Sequence, residues 1–158
     1  MTRAEPYKVV LSGLDELSPR DLYTMLKLRV DVFVVEQKCA YPELDGKDAD
    51  ALHLRLLLGR DLVASARIRK PAKTDPAARI GRVVVSPDHR GQRLGDRIMV
   101  EAISQCERLY PESPIKLSAQ SHLARFYGSF GFVPVSEEYL EDDIPHVDMQ
   151  RPAVPAVE

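Results

Sequence analysis

The chain has 158 residues, of which 44% are hydrophobic and 29% charged, and its formal net charge at pH 7 is −2. These values are ordinary for one globular domain, and the lack of a basic surplus argues against a dedicated nucleic-acid binder. No stretch approaches the ~20 apolar residues of a membrane span, and the first residues lack a signal-peptide pattern. Cys39 and Cys106 are therefore expected to be reduced thiols of a cytoplasmic protein.

The first third of the chain predicts a strand, a helix and a long loop. Residues 7–11 form a short apolar run typical of a strand. Ser18 suits a helix N-cap, with Pro19 at the first helical position, and apolar residues at helical spacing extend the helix to about Val34. The polar stretch 35–51 is predicted to be a long loop, and loops of that length in compact domains are usually functional or mobile.

Strands predominate in the rest of the chain. Two predicted strands, residues 53–58 and 62–70, flank a tight turn and form a hairpin. The β-branched run 80–85 suits a buried strand, and apolar residues spaced by three and four over 94–109 indicate an amphipathic helix. The segments that follow are predicted as a strand at 115–119, a helix at 121–130, and strands at 132–139 and 144–151. We therefore predict one mixed α/β domain over residues 1–151, followed by a disordered tail over residues 152–158.

A glycine-containing turn joins the strand at 80–85 to the helix that begins near residue 94. Helix N-termini carry unpaired N–H groups and a partial positive charge, which favour phosphate binding. Gly91 and Gly95 allow close approach to a ligand, and Arg90 and Arg93 add positive charge. The turn lacks the glycine patterns of nucleoside-triphosphate and dinucleotide loops. A diphosphate cradle is thus one interpretation, and an ordinary turn before a helix is the other.

Two stretches of sequence resemble the GCN5-related N-acetyltransferases, and three further segments resemble one branch of that family. Residues 83–95, Val-Val-Val-Ser-Pro-Asp-His-Arg-Gly-Gln-Arg-Leu-Gly, resemble that family's coenzyme A motif, Arg/Gln-x-x-Gly-x-Gly/Ala after a strand. Arg90 and Gly95 match the motif, and Arg93 replaces its middle glycine. Residues 126–132, Phe-Tyr-Gly-Ser-Phe-Gly-Phe, are similar to the family's Phe-Tyr-x-x-x-Gly-Phe segment. Segments 32–37, 118–120 and 138–146 resemble the ElaA-like branch, and the resemblance runs collinearly over roughly residues 20–151.

The resemblance implies a fold and an activity. The implied fold has a central mixed, mainly antiparallel sheet with helices on both faces. The implied activity transfers an acetyl group from acetyl-CoA to a primary amine by direct attack in a ternary complex, without a metal. The cofactor would lie where the strand at 83–85 splays from the strand at 115–119. The cofactor-binding residues implied in this way are Val83, Val85, Arg90, Gly91, Gln92, Arg93, Leu94, Gly95, Asp96 and Gln120.

Two further roles concern protons. Tyr127 lies where the family's general acid usually lies, and its alternative role is that of a core aromatic. The attacking amine must be neutral, and an ordinary lysine with a pKa near 10.4 is almost fully protonated at pH 7, so a base is useful. The candidate bases are Glu36, which we favour, and Glu138, His53, His122 and His146. A solvated residue at a helix end is the alternative for Glu36, and the three histidines lack metal-ligand spacing.

Charge patterning bears on the acceptor. Residues 31–50 hold six acidic residues against two lysines, and residues 137–148 hold six acidic residues with no lysine or arginine. If both segments border the cleft, they would attract a cationic small-molecule or peptide amine; solvated loops are the alternative. A non-catalytic acyl-CoA sensor and an acyltransferase using longer acyl donors remain competing functions. Neither nucleic acid nor membrane is an expected partner, and the resemblance allows a homodimer.

Overall fold

An open eight-stranded sheet organises the chain, whose computed structural model describes residues 6–153. The strands are β1 (Tyr7–Gly13), β2 (Leu52–Leu58), β3 (Asp61–Arg69), β4 (Ala78–Val85), β5 (Ile115–Gln120), β6 (Val133–Pro134), β7 (Tyr139–Glu141) and β8 (Ile144–Arg151). The sheet order is β1-β2-β3-β4-β5-β8-β6, with β7 also paired to β8. Only β4 and β5 pair in parallel among these strands, which confirms the predicted mixed, mainly antiparallel sheet.

Three α-helices accompany the sheet in the described part of the chain. They are α1 (Pro19–Val30), α2 (Leu94–Leu109) and α3 (Ala124–Gly128). As predicted, Ser18 caps α1, because its hydroxyl accepts a hydrogen bond from the Asp21 N–H at 3.1 Å. None of the described helices is long and apolar enough to cross a membrane.

The two faces of the sheet differ in chemistry because side chains alternate along each strand. Ala64, Ala66 and Ile68 of β3 belong to the main apolar core, together with Ile98 and Met99 of α2. Burial of this apolar surface is the main stabilising contribution to the fold. The opposite face of β3 carries polar and charged side chains beneath α1 and the loop that follows it. Helices therefore cover both faces, as predicted, but only one covered face is apolar.

Two boundaries predicted from the sequence are wrong. The predicted end of the first helix, at about Val34, is correct to within two residues, because α1 continues through a π-helical turn over Asp31–Glu36. The predicted helix at 121–130 is a 3-10 turn followed by the five-residue α3. The predicted strand at 132–139 is two short strands, because Pro134 lacks the N–H that a continuing ladder needs. Of the predicted tail, residues 154–158 lie outside the described residues, and the division into domain and tail stays a prediction.

Candidate active site

A cleft opens where β4 and β5 diverge. The two strands pair only at Ala78 with Ile115 and at Arg79 with Lys116, and no further pairing follows toward their carboxyl ends. The predicted splay is therefore present, and the cleft that it borders has a volume of about 510 Å³. Five residues that were predicted to bind the cofactor or to act as the general acid line this cleft: Val83, Val85, Arg90, Gln120 and Tyr127.

A β-bulge shapes the wall of the cleft on β4. Ser65 lies opposite Val84 and Arg67 lies opposite Gly81, so β4 has one residue more than β3 between these pairs. The extra residue is accommodated by Arg82, whose φ of 52° is left-handed. Bulges of this kind are common beside active sites, where they interrupt pairing and redirect backbone groups.

The backbone of Val85 faces the gap. The Ser86 N–H donates to the Val63 carbonyl at 2.8 Å, so Ser86 and Val63 form a hydrogen-bonded pair of the antiparallel ladder. Backbone groups alternate in direction along a strand, so the N–H and carbonyl of Val85 point away from β3. The same alternation applies to Val83, which has no Cα partner on β3 in the register. These groups are placed to pair with an extended ligand lying between β4 and β5.

The turn before α2 leaves a helix N-terminus open. Gly91 has a φ of 84° and Arg93 a φ of 59°, so the residue that replaces the motif's glycine adopts the conformation that glycine favours. Arg93 is the N-cap of α2 and makes no side-chain capping hydrogen bond. The N–H groups of the first helical turn, Leu94 to Asp96, therefore have no intrahelical acceptor, and they suit an anionic group.

Arg90 and Glu36 form a bidentate ion pair at the edge of the cleft. The Arg90 guanidinium donates to the two carboxylate oxygens at 2.9 and 2.5 Å. These hydrogen bonds hold the pKa of Glu36 below its ordinary value. The favoured base therefore lies against the predicted diphosphate cradle. Its base role stays a prediction, and the pairing with Arg90 was not expected from the sequence.

Tyr127 combines features of both roles considered for it. The residue is only 9% exposed, and its ring packs edge-to-face on Phe126 and Phe132. It also lines the cleft, and no described residue hydrogen-bonds its hydroxyl. Burial raises the pKa of the phenol, which keeps it protonated near neutral pH. Such a hydroxyl can donate a proton to a ligand in the cleft.

The other base candidates occupy different environments. His146 lines the cleft, with its Nδ1 2.7 Å from the Ile144 carbonyl and its Nε2 3.6 Å from Glu141. His53 is buried, and burial lowers its pKa, while its Nε2 lies 2.9 Å from the Asp48 carbonyl oxygen. Glu138 and His122 are exposed, and neither lines the cleft. Within residues 6–153, no three His, Cys, Asp or Glu side chains form a group that could hold a metal ion.

A buried ion network, which the sequence analysis missed, holds the loop over residues 37–51. Its members are Arg29, Arg67 and Arg82 on the cationic side and Glu43, Asp45 and Asp48 on the anionic side. Each of the three carboxylates contacts two of the arginines, at N–O distances from 2.6 to 3.3 Å. These acids are therefore neutralised, and the argument that residues 31–50 present a free negative field is wrong. The sequence held one indication of this network. Arg29 lies four residues after Met25, so the helical spacing places a charged residue on the buried face of α1.

Comparison with known proteins gives a consistent result over nearly the whole chain. The family model described as acetyltransferase (GNAT) domain matches residues 24–152. Protein ElaA of Escherichia coli K12 is 45% identical over 143 residues, which cover 89% of this chain and 94% of that protein. The crystal structure of an acyl-CoA N-acyltransferase from Pseudomonas aeruginosa is 45% identical with a TM-score of 0.88, covering 92% of this chain and 99% of that one. The crystal structure of Escherichia coli ElaA gives a TM-score of 0.85 at 42% identity, with the same coverage of the two chains.

Proposed function

Because the chain belongs to the GNAT acetyltransferase family, in its ElaA-like branch, we propose that it transfers an acetyl group from acetyl-CoA to a primary amine. The observation that carries this proposal is the alignment of two features along one cleft. The unpaired backbone edge at Val83 and Val85 leads to the open N-terminus of α2. An extended arm ending in a diphosphate fits this order of features.

The proposed cofactor contacts follow from the geometry of the turn and of β4. The diphosphate would be held by N–H groups of the segment 91–96, with charge from Arg90 and Arg93. At Gly95, an added Cβ would lie 3.7 Å from the Phe126 ring, which is an ordinary contact distance. The protein around Gly95 would therefore accept a small side chain at this position. The pantetheine arm would pair with the backbone of Val83 and Val85, and Gln120, at the end of β5, would hydrogen-bond the cofactor. These contacts also include Gln92 and Leu94, as implied by the motif.

The acceptor reacts as the neutral amine, and from that form the proposed reaction requires two proton transfers. The amine nitrogen bonds to the thioester carbonyl carbon, and the carbon–sulfur bond breaks. The nitrogen gives up a proton to a base, and the leaving thiolate takes a proton from a general acid. Tyr127 would donate this proton, because its phenol is protonated, lines the cleft and has no described hydrogen-bond partner.

We keep Glu36 as the proposed base, with His146 as its competitor. Arg90 lowers the pKa of Glu36, which weakens it as a base while the two are paired. Engagement of Arg90 by a diphosphate would compete for the guanidinium and release the carboxylate. A Glu36→Gln variant separates these roles, because it should bind acetyl-CoA at least as tightly as the native protein while turning over more slowly. Loss of activity in His146→Gln alone would assign the base to His146 instead.

The proposed acceptor is a primary amine that is cationic in solution. With the carboxylates of the 37–51 loop neutralised, the support comes from Glu141 and Asp142, which line the cleft. Such carboxylates favour the approach of a protonated amine. A homodimer and a cytoplasmic location also stay proposals.

Isothermal titration with acetyl-CoA tests the proposed function. We compare the native protein with an Arg90→Ala/Arg93→Gly double variant, in which glycine keeps the left-handed backbone of residue 93. Arg60→Ala, on the β2–β3 turn, is the matched control for loss of positive charge. The double variant should bind at least tenfold more weakly, and the control should bind normally. Absence of binding by the native protein would refute the proposal.

Turnover distinguishes the proposed enzyme from its two competitors. Release of free thiol from acetyl-CoA in the presence of amines supports the acetyltransferase. Binding without thiol release from any amine supports the non-catalytic sensor. Faster turnover with longer acyl-CoA donors than with acetyl-CoA supports the acyltransferase of longer chains.

A further inference from the structure

One arginine in the cleft lacks the carboxylate partner that each of its neighbours has. Among the cleft-lining arginines, Arg67, Arg79, Arg82 and Arg90 each form an ion pair. Arg69 also lines the cleft and is partly buried, yet no carboxylate or other hydrogen-bond partner contacts it among residues 6–153. A partly desolvated guanidinium without a partner is unfavourable by itself, and an anionic ligand would relieve it.

Arg69 stands in a row of three cations across the sheet. In the register, Arg69 lies opposite Arg79, and Arg79 lies opposite Lys116, so the three side chains emerge on one face of β3, β4 and β5. A single carboxylate, Asp75, contacts two of them, at 3.3 Å from Arg79 and 3.7 Å from Lys116. The row therefore keeps a positive surplus, whereas the buried network under α1 matches three arginines with three carboxylates.

The row lies at the acceptor end of the cleft. The cradle follows the carboxyl end of β4, so an arm running along Val85 and Val83 carries its acyl end toward Gly81. Arg79 lies two residues beyond Gly81, which is about 7 Å along a strand. Glu141 and Asp142 line the same cleft from the β7–β8 hairpin. In the register, however, this hairpin lies beside the Gln120 end of β5, whereas the row lies at the Lys116 end. The positive row therefore lies just beyond the acyl end of the arm, and the acidic residues lie at the other end of the cleft.

On the basis of the proposed function, we propose that the acceptor is an amino-acid-type molecule, whose amine reacts near Gly81 at the acyl end of the arm and whose carboxylate is bound by Arg69. A planar guanidinium binds a carboxylate through two parallel hydrogen bonds, so one unpaired arginine matches one carboxylate group. Arg79 would add to the positive electrostatic potential at the bound carboxylate while keeping its ion pair with Asp75. Arg69 is then a specificity-determining residue that acts on acceptor binding.

Matched acceptors test this proposal. Each amino acid is compared with the amine that lacks only its carboxylate: lysine with cadaverine, ornithine with putrescine, and phenylalanine with phenethylamine. Titrations use the full-length protein saturated with coenzyme A, so they report acceptor binding without turnover. At least one amino acid should bind at least tenfold more tightly than its amine. The Arg69→Gln variant should lose that preference, and Arg60→Gln on the β2–β3 turn should keep it.

The outcomes separate this inference from the proposed function. Arg69 makes no ion pair within the described chain, so Arg69→Gln should keep the native thermal unfolding midpoint and the native affinity for acetyl-CoA. Equal binding of the two members of every pair, binding of none of them, or an equal loss for both members in Arg69→Gln would overturn the inference. In each of these cases normal acetyl-CoA binding leaves the proposed function standing, and failure to bind acetyl-CoA removes both.

Discussion

Replacing Arg29 by methionine tests whether the buried ion network supports the fold. The residue is 1% exposed, and its guanidinium donates to Glu43 at 2.6 Å and to Asp48 at 2.8 and 3.2 Å. Methionine fills much of the space but leaves these buried carboxylates with less positive charge. Breaking a buried pair in this way costs about 3–5 kcal/mol. Glu43 and Asp48 retain contacts with Arg82 and Arg67, so we expect the lower end of this range.

Thermal unfolding followed by circular dichroism measures this effect. For a domain of 150–250 residues, each 1 kcal/mol shifts the unfolding midpoint by about 2–4 °C, so we expect a fall of roughly 6–12 °C. Lys27→Met is the matched control, because the Lys27–Asp31 pair on the same helix is 60% and 47% exposed and should contribute little. Loss of Arg29 leaves two arginines facing three carboxylates, so a second change, Glu43→Gln in the Arg29→Met chain, should recover part of the loss by removing the excess negative charge.

An unchanged midpoint in Arg29→Met, or a fall no larger than that of Lys27→Met, would refute this reasoning. Such a result would mean that the attraction between Arg29 and its carboxylates only equals the free energy lost when these charges are removed from water. An apolar side chain could then replace Arg29 without loss of stability. The 37–51 loop would then be held by other contacts.

Three further predictions concern the acid, a turn and the pH dependence of stability. Tyr127→Phe should keep acetyl-CoA affinity and stability but lower kcat by roughly 10²–10⁴, and normal kcat in stopped-flow or steady-state assays would exclude the acid role. Gly131→Ala should destabilise the fold by about 1–2 kcal/mol because φ is 91°, whereas the helical control Gly128→Ala should not, and equal urea midpoints would contradict this. Burial lowers the pKa of His53. Burial opposes ionisation of Asp45, but hydrogen bonds from Arg67 and the Lys47 N–H, with the charges of Arg67 and Arg82, together lower its pKa. Both groups give stability that is full above their ordinary pKa values, so midpoints measured from pH 8 to 2 should decline below about 6.5 and more steeply below about 3.9. A flat profile would show that neither group is perturbed.

Strand β4, helix α2 and the turn between them illustrate how much of this protein could be predicted from local sequence. The β-branched run before the turn and the apolar stripe after it define β4 and α2 from residues within 30 positions of each other. The departure at Arg93 is also local, because Arg93, with a φ of 59°, adopts the left-handed conformation that the motif's glycine favours. The mixed α/β class followed from the pattern of elements, whereas the mainly antiparallel sheet and the splay of β4 from β5 followed from the family resemblance rather than from periodicity.

The sequence by itself determined most of the elements and the turn before α2, because helix capping, side-chain periodicity and turn conformation depend on neighbouring residues. Only the tertiary structure decided the partners of the charges. Glu36 meets Arg90 across 54 positions and Glu43 meets Arg82 across 39, and no local pattern selects those pairs from among many charged residues. The sheet register likewise placed Arg69 beside Arg79, where no residue of the described chain forms an ion pair with Arg69. Electrostatic interactions act through space and depend on desolvation, so which charges are neutralised and which remain available to a ligand is set by the folded arrangement.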